Sequence, residues 1–299
     1  MLAGEARLDR GDLPLAGEPE PDDYKIAGRH NHHDLLVANV FAQAEALDRK
    51  LAAPLSGTPA VAVAVNGRFV PQLSAMKALP KGIQILGLEE TLASNPALVE
   101  PYLGKLTLTQ TNAFTSLNTA FLRDGIVIHI APHIVLETPI ELVFASIPEG
   151  SASVSHPRLL VVAGEGSQAT IVERYVGSGA AFTNVVAEVW LGAGAVMDHY
   201  KLQEEPADSF HIAAMFVHSA RNGNFSSHAL TFGGGLVRNE VTAVLDGEGI
   251  DCTLNGLYVG RIWYTYPING LRAGDFTCTV VGGSPCGKLT ASGPFHTRP

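Results

Sequence analysis

The side chains able to do chemistry are spread thinly along this chain. Eleven histidines form the largest set, and imidazole is both the commonest metal ligand and the usual acid–base group near neutral pH. His30, His32 and His33 crowd into a polar leader, where surface exposure accounts for them. His129 and His133 have ligand-like spacing, but Pro132 forbids a continuous helix presenting both on one face. His211 and His218 lie seven apart in a strand-like run and so point to opposite faces. His199 and His228 also fall on strand-like runs, and read as hydrogen-bonded or surface imidazoles rather than ligands. Cys252 reads as a small buried thiol. Cys278 and Cys286 do not form a Cys-x-x-Cys pair, and iron–sulfur ligation needs three or four thiolates brought to one point. From these residues we expect no catalytic group and no resident metal site.

A second candidate chemistry is phosphate binding by glycine. The phrase Gly-x-Gly followed by a strand-like run occurs as AGEGSQATIVE at 163–173, LGAGAVMDHYK at 191–201 and DGEGIDCTLNG at 246–256. A dinucleotide fingerprint requires a helix after the glycines to receive the pyrophosphate, and here a strand follows each time. Gly282 and Gly287-Lys288 imitate a phosphate loop, but Leu289 stands where Ser or Thr should hold magnesium. No Gly-x-Ser-x-Gly elbow is present. The spacing of the phrases carries a different meaning. Gly164 and Gly192 are 28 apart, and Gly247 follows after 55, close to twice that step. Near 220, where the missing copy belongs, stands Arg221-Asn222-Gly223-Asn224, another turn sequence. A fixed period of this size marks stacked units that cannot bury their own apolar faces alone. The runs between turns are rich in Val, Ile, Thr and Phe and too short for helices. The fold class is therefore mainly β, a β-solenoid.

Composition narrows the setting. Hydrophobic residues make up 46% and charged residues 16% of the 299, a globular balance. The formal charge of −9 opposes nucleic-acid binding. No apolar run is long enough to cross a bilayer, and the first residues lack the profile of a signal peptide, so the expected location is cytoplasmic. Residues 261–299 hold four basic residues and one acid, a net of +3, against −12 for the preceding 260.

Taken in order, residues 1–33 form a polar leader. Leu36, Val40, Ala44, Leu47 and Leu51 recur at helical spacing after Asp34, predicting an amphipathic helix that ends before Pro54. Asn66-Gly67 between two β-rich runs predicts a hairpin with a type I′ turn. The run IQILGL at 83–88 adds a strand, and two short helices follow, the second opening at Asn95-Pro96. Phe114, Leu117 and Phe121 predict a third helix that stops at Asp124-Gly125. The expected organisation is a small mixed α/β region over 34–124, a solenoid over 125–260 and a basic tail over 261–299. On LVRNEVTAV, Asn239 shares a face with Val237, Val241, Ala243 and Leu245, which reads as a buried amide hydrogen-bonding along a turn stack or, equally, as a local cap.

Several runs together resemble a known family. NAFTSLNTAFLRDG at 112–125, SHPRLLVVAGEGSQATIVERYVG at 155–177, DHYKLQ at 198–203, GGGLVRNEV at 233–241 and LDGEGIDCTLNGLY at 245–258 look like SufD, of the SufB/SufD superfamily. VNGRFVPQLS at 65–74 fits the same family, and the resemblance covers about residues 60–258. It implies a right-handed parallel β-helix and a non-enzymatic scaffold subunit of iron–sulfur cluster assembly. It also implies two partners, a SufB-like paralogue and a SufC-like ATPase, with a cluster held only transiently in the complex. The family's histidine-rich run, its Lys-Cys-x-His-Gly segment and its C-terminal helices have no counterpart after residue 258. Together with the charge break at 261, this gives the expectation of a truncated solenoid followed by a frameshifted or irregular tail. A β-helix enzyme acting on polysaccharide and a structural solenoid are the alternatives. No stacked carboxylates or aromatics favour the first, and no export signal favours the second.

Overall fold

Asn66 and Gly67 take φ values of 48° and 81°, the left-handed pair that a type I′ turn needs. They fold strand β1 (Ala60–Val65) back on β2 (Arg68–Phe69) as an antiparallel hairpin. The computed structural model describes residues 60–76, 79–109, 112–148, 150, 152–258, 275–282 and 288–292. The helix expected at 34–53 lies outside them.

Strand β3 (Ile83–Gly87) leads into helix α1 (Leu88–Ser94). Pro96 opens only a 3-10 turn, Pro96–Leu98, where a second helix was expected. Helix α2 (Ala113–Ala120) begins where Asn112 accepts a hydrogen bond from the Thr115 amide at 2.7 Å. It ends just before Asp124-Gly125. The Asp124 carboxylate ties this region together, accepting from the amides of Phe69 at 2.9 Å and Glu89 at 3.0 Å.

From there the chain alternates between two sheets. One receives β5 (Ile140–Ser146), β8 (Gln168–Gly177), β10 (Val196–Gln203), β12 (Asn224–Thr231), β14 (Asp251–Tyr258) and β16 (Lys288–Ser292). The other receives β4 (Gly125–Ile130), β7 (Arg158–Ala163), β9 (Ala181–Leu191), β11 (Phe210–Ala220), β13 (Leu236–Asp246) and β15 (Asp275–Gly282). A short β6 (Ser153–Ser155) pairs with β9. Every pairing along this series is parallel, so the architecture is a two-sheeted parallel β-solenoid. β1 lies parallel to β5 and β3 antiparallel to β4, which places the α/β region's strands on the ends of the same sheets.

The 28-residue step is the register of this stack. Gln168 pairs with Val196 and Val196 with Asn224; Phe182 pairs with Phe210. The turns stack too. His133, Gly166, Gly194, Asn222 and Gly249 all have positive φ, between 57° and 70°. The amides of His133, Gly166, Gly194 and Asn222 each donate to a carbonyl of the next coil, those of Glu165, Ala193, Arg221 and Glu248. The copy near 220 is thus present, with asparagine, which tolerates the left-handed region, in place of the second glycine. The first glycine answers to a close approach instead. A Cβ on Gly164 would stand 2.6 Å from the Pro132 nitrogen, and one on Gly192 2.7 Å from the Glu165 nitrogen.

Alternate residues of each strand face inward and form one continuous core from Ile126, Ile140 and Ile171 to Phe225, Ala243 and Cys252. The outer face of the second sheet is covered as well. Val127, Leu160 and Val162 pack there against Leu88, Val99 and Tyr102 of the helical region. Covering on both faces is why β7, Arg-Leu-Leu-Val-Val-Ala, is buried at every position. Below this cover the buried Arg158 guanidinium donates to Asn118 Oδ1 at 3.0 Å and pairs with Glu188 at 3.3 Å. Glu188 also accepts from the amides of Gly104 and Leu106. Burial pushes the Arg158 guanidinium down and the Glu188 carboxyl up, while the pair's mutual attraction opposes both shifts.

Candidate functional site: a polar relay inside the solenoid

The inward columns are apolar through most of the stack and turn polar in the coils of β8, β10 and β12. Parallel register places Ile171, His199, Ser227 and Leu254 in one ladder. Glu173, Lys201, Ala229 and Gly256 form the next, followed by Tyr175, Gln203 and Thr231. Strand alternation forces these side chains into the interior, because the residues between them already face outward.

Within the ladders the polar atoms form a relay. Ser227 Oγ lies 2.9 Å from His199 Nδ1, His199 Nε2 lies 3.0 Å from Glu173 Oε1, and the Tyr175 hydroxyl donates to Glu173 Oε2 at 2.7 Å. A second branch starts in the connection after β10. Glu205 accepts from Thr183 Oγ1 at 2.7 Å and from Gln203 Nε2 at 3.0 Å, and His211 Nδ1 lies 2.7 Å from its Oε2. Thr183 in turn meets Ser146 at 3.1 Å. Lys201 Nζ donates to Asn239 Oδ1 at 2.6 Å across the interior and sits 4.9 Å from the centre of the Tyr175 ring.

Burial and neighbouring charge compete at each group. Burial pushes the Glu173 carboxyl up, but His199, Lys201 and the Tyr175 hydroxyl bring it below its ordinary value. Glu205 is likewise opposed by burial, and His211, Gln203 and Thr183 lower it to about 2. For Lys201 burial prevails, and the attraction of Glu173 and Glu205 leaves the ammonium at about 8. Burial and the Lys201 charge both depress His211, and burial with Glu173 raises the Tyr175 hydroxyl well above its usual range. At neutral pH Glu173 and Glu205 are therefore carboxylates, and Lys201 keeps its ammonium. A cavity beside them is lined by Glu173, His199, Lys201, Ser227 and Asn239, with Ala213, Met215 and Leu254 as apolar wall.

Such an arrangement can hold and pass protons along hydrogen bonds. Among the described residues no group of three His, Cys, Asp or Glu is placed to hold a metal ion.

The residues singled out from sequence fall as follows. His199 is a buried member of the relay, with both ring nitrogens engaged. His211 points inward and His218 outward, where it lies 3.2 Å from Asp246 and tilts against Trp190. His228 is on the outer face, stacked on Tyr200 at 5.0 Å. His129 lies half-buried on β4 and is pushed down by burial, while His133 serves the turn column. Cys252 is buried in the core. Cys278 lies on β15 opposite Val241. His30, His32, His33 and Cys286 lie outside the described residues. Asn239 is a buried amide, one of the two readings its pattern allows, and its partner is Lys201. Glu173, Tyr175, Lys201, Glu205 and Ser227 were not read from the sequence as a group. Writing the strands in rows of 28 would have shown them, since it sets Glu173 on Lys201 and His199 on Ser227.

Fold and interior together define a two-sheeted parallel β-solenoid protein with a polar section in its core. The family comparison agrees with that class and refines it. Residues 57–142 match the SufBD protein N-terminal region, and residues 146–262 match the SufBD core domain, described as SUF system FeS cluster assembly. An iron–sulfur cluster assembly SufBD family protein of Synechocystis sp. is 30% identical over 60% of this chain and 42% of its own length. The chloroplastic protein ABCI7 of Arabidopsis thaliana is 33% identical over 43% of this chain and 29% of its own. A SufBD family protein of Staphylococcus saprophyticus is 25% identical over 60% and 39%, respectively. The chain thus spans less than half the length of these relatives. It belongs to the SufB/SufD superfamily. No helix among the described residues is long and apolar enough to cross a membrane.

Proposed function

We propose that this chain acts in the SUF system of iron–sulfur cluster assembly as a SufD-like scaffold subunit in the cytoplasm. It works with a SufB-like paralogue and a SufC-like ATPase and is not itself an enzyme. The observation that carries this reading is the order of the two family matches, which fall one after the other on a single continuous solenoid. A parallel solenoid presents its outermost strands as unpaired edges, and edges of this kind accept another strand or sheet. The cluster is cargo in this scheme. Cys252 is buried within the core, where its thiol is not placed to ligate a cluster at the surface.

Co-expression with SufB-like and SufC-like subunits from the same organism tests the proposal. The expected result is recovery of all three chains from an affinity tag on this one, and faster cluster formation on the complex than on the other two alone. Recovery of this chain alone, with cluster formation unchanged by its presence, overturns the assignment.

A further inference from the structure

The helical region covers much of the outer face of the second sheet, and its cover stops short at one margin. Parallel register sets Val154, Phe182, Phe210 and Leu236 in one ladder, at or near the start of their strands. Thr183 and His211, which follow two of them, turn inward to Glu205, so the ladder points outward. Val154 is 64% exposed, Phe210 52% and Leu236 48%; Phe232, in the connection that leads to β13, is 46% exposed. Phe182 joins this strip to helix α2, where its ring meets Phe114 edge-on at 6.5 Å. Contiguous exposed apolar side chains on a folded chain mark an interaction surface.

The form of the partner follows from the sheet beneath. β9, β11 and β13 are each paired on both sides, so the strip offers no free backbone edge and a partner must pack by side chains alone. Strands are spaced about 4.8 Å apart, which makes the three steps from Val154 to Leu236 about 14 Å long. A helix has a pitch of about 5.4 Å, so one laid across the strands sets an apolar residue against each rung in turn over about ten residues. Charge selects the rest. Asp208 is exposed two residues before Phe210, and Glu204 stands on the same connection, sharing Arg174 with the buried Glu141. Arg238, two residues past Leu236, is paired with Glu240.

We infer that this strip docks an amphipathic helix of a partner protein. The helix sets its apolar stripe on the Phe210 ladder and carries Lys or Arg along the flank that meets Asp208 and Glu204. A second copy of this chain, with a formal charge of −9, would meet the surface with like charge. The strip is distinct from the terminal strand edges of the solenoid, so its occupancy does not depend on subunit pairing there.

The probe is a fluorescent synthetic helix of about fourteen residues, with Leu at i, i+3, i+4 and i+7 and Lys elsewhere, beside a counterpart with Glu in place of Lys. Anisotropy titrations with the full chain should show saturable binding of the Leu/Lys helix that weakens with salt. The Leu/Glu helix should bind at least about tenfold more weakly, and Phe210→Asp should cost the Leu/Lys helix about the same factor. Asp208→Lys should narrow the gap between the two peptides. A photoreactive group on the apolar stripe should link to Phe210, Leu236 or their neighbours. Absence of binding, equal binding to Phe210→Asp, or links confined to another surface overturns the inference. So does a dimer of the free chain in sedimentation that Phe210→Asp abolishes, which would make a second copy the occupant. The cross-link map of the unaltered protein decides the matter even where a variant fails to fold.

Discussion

Replacing Glu205 by glutamine changes one buried charge and almost no volume, so it isolates the electrostatics of the second branch of the relay. The carboxylate is 2% exposed and is held by Thr183, Gln203 and His211. Its folded value of about 2 lies below the ordinary 4.5. Because the folded state binds fewer protons than the unfolded chain between those values, stability rises with pH across that window. The contribution is fully present above the unfolded value and drains away as pH falls through about 2. At 1.36 kcal/mol per unit, the shift corresponds to about 3 kcal/mol at neutral pH. Urea unfolding of the wild type and Glu205→Gln at a series of pH values between 7 and 2 reads this directly. The two should differ by about 3 kcal/mol at neutral pH and converge in acid. A gap that stays constant with pH would show that Glu205 acts through shape and not charge, refuting the reasoning.

Lys201 carries the opposite signature. Its lowered value means that stability should rise between about 8 and 10.5 as the folded amine deprotonates first, and Lys201→Met should flatten that rise in an alkaline unfolding series. Glu188→Ala strands the buried Arg158 guanidinium and removes the acceptor for the Gly104 and Leu106 amides. A loss of about 3–5 kcal/mol in urea unfolding is expected. Gly192→Val drives a side chain into the Glu165 backbone and should cost about 1–3 kcal/mol. Asn222→Gly, at a residue already in the left-handed region, should leave the Tm unchanged or raise it.

The tail illustrates where reading by pattern stops. Residues 261–299 part from the strand–turn rhythm in charge and composition, yet β15 and β16 pair in parallel register with β13 and β14. The offset there is wider than 28, as Arg238 pairs with Asp275 and Asp251 with Lys288. A repeat search tuned to one spacing passes over a coil whose connection is longer, because strand pairing constrains the register of the ladder and leaves loop length free. The helical region shows a milder form of the same effect. Asn95-Pro96 was a sound opening for a helix, but only one 3-10 turn follows before Val99 is drawn into the cover over the second sheet.

The solenoid itself was legible from the chain alone, because the residues that define it act locally. Asn66-Gly67 specifies a hairpin through backbone angles that few other pairs tolerate. The glycine phrase recurs because every coil repeats the same close approach and the same left-handed turn. The polar interior was not legible in that way. Glu173, Lys201 and Asn239 are unremarkable in their own strands, and they become one site only when coils 28 residues apart stack and two sheets close over them. Burial then decides their charge states, which no local pattern encodes, since desolvation depends on everything that surrounds a group in space. The sequence alone determined the period and the turns; tertiary closure decided which side chains lost water and which found partners.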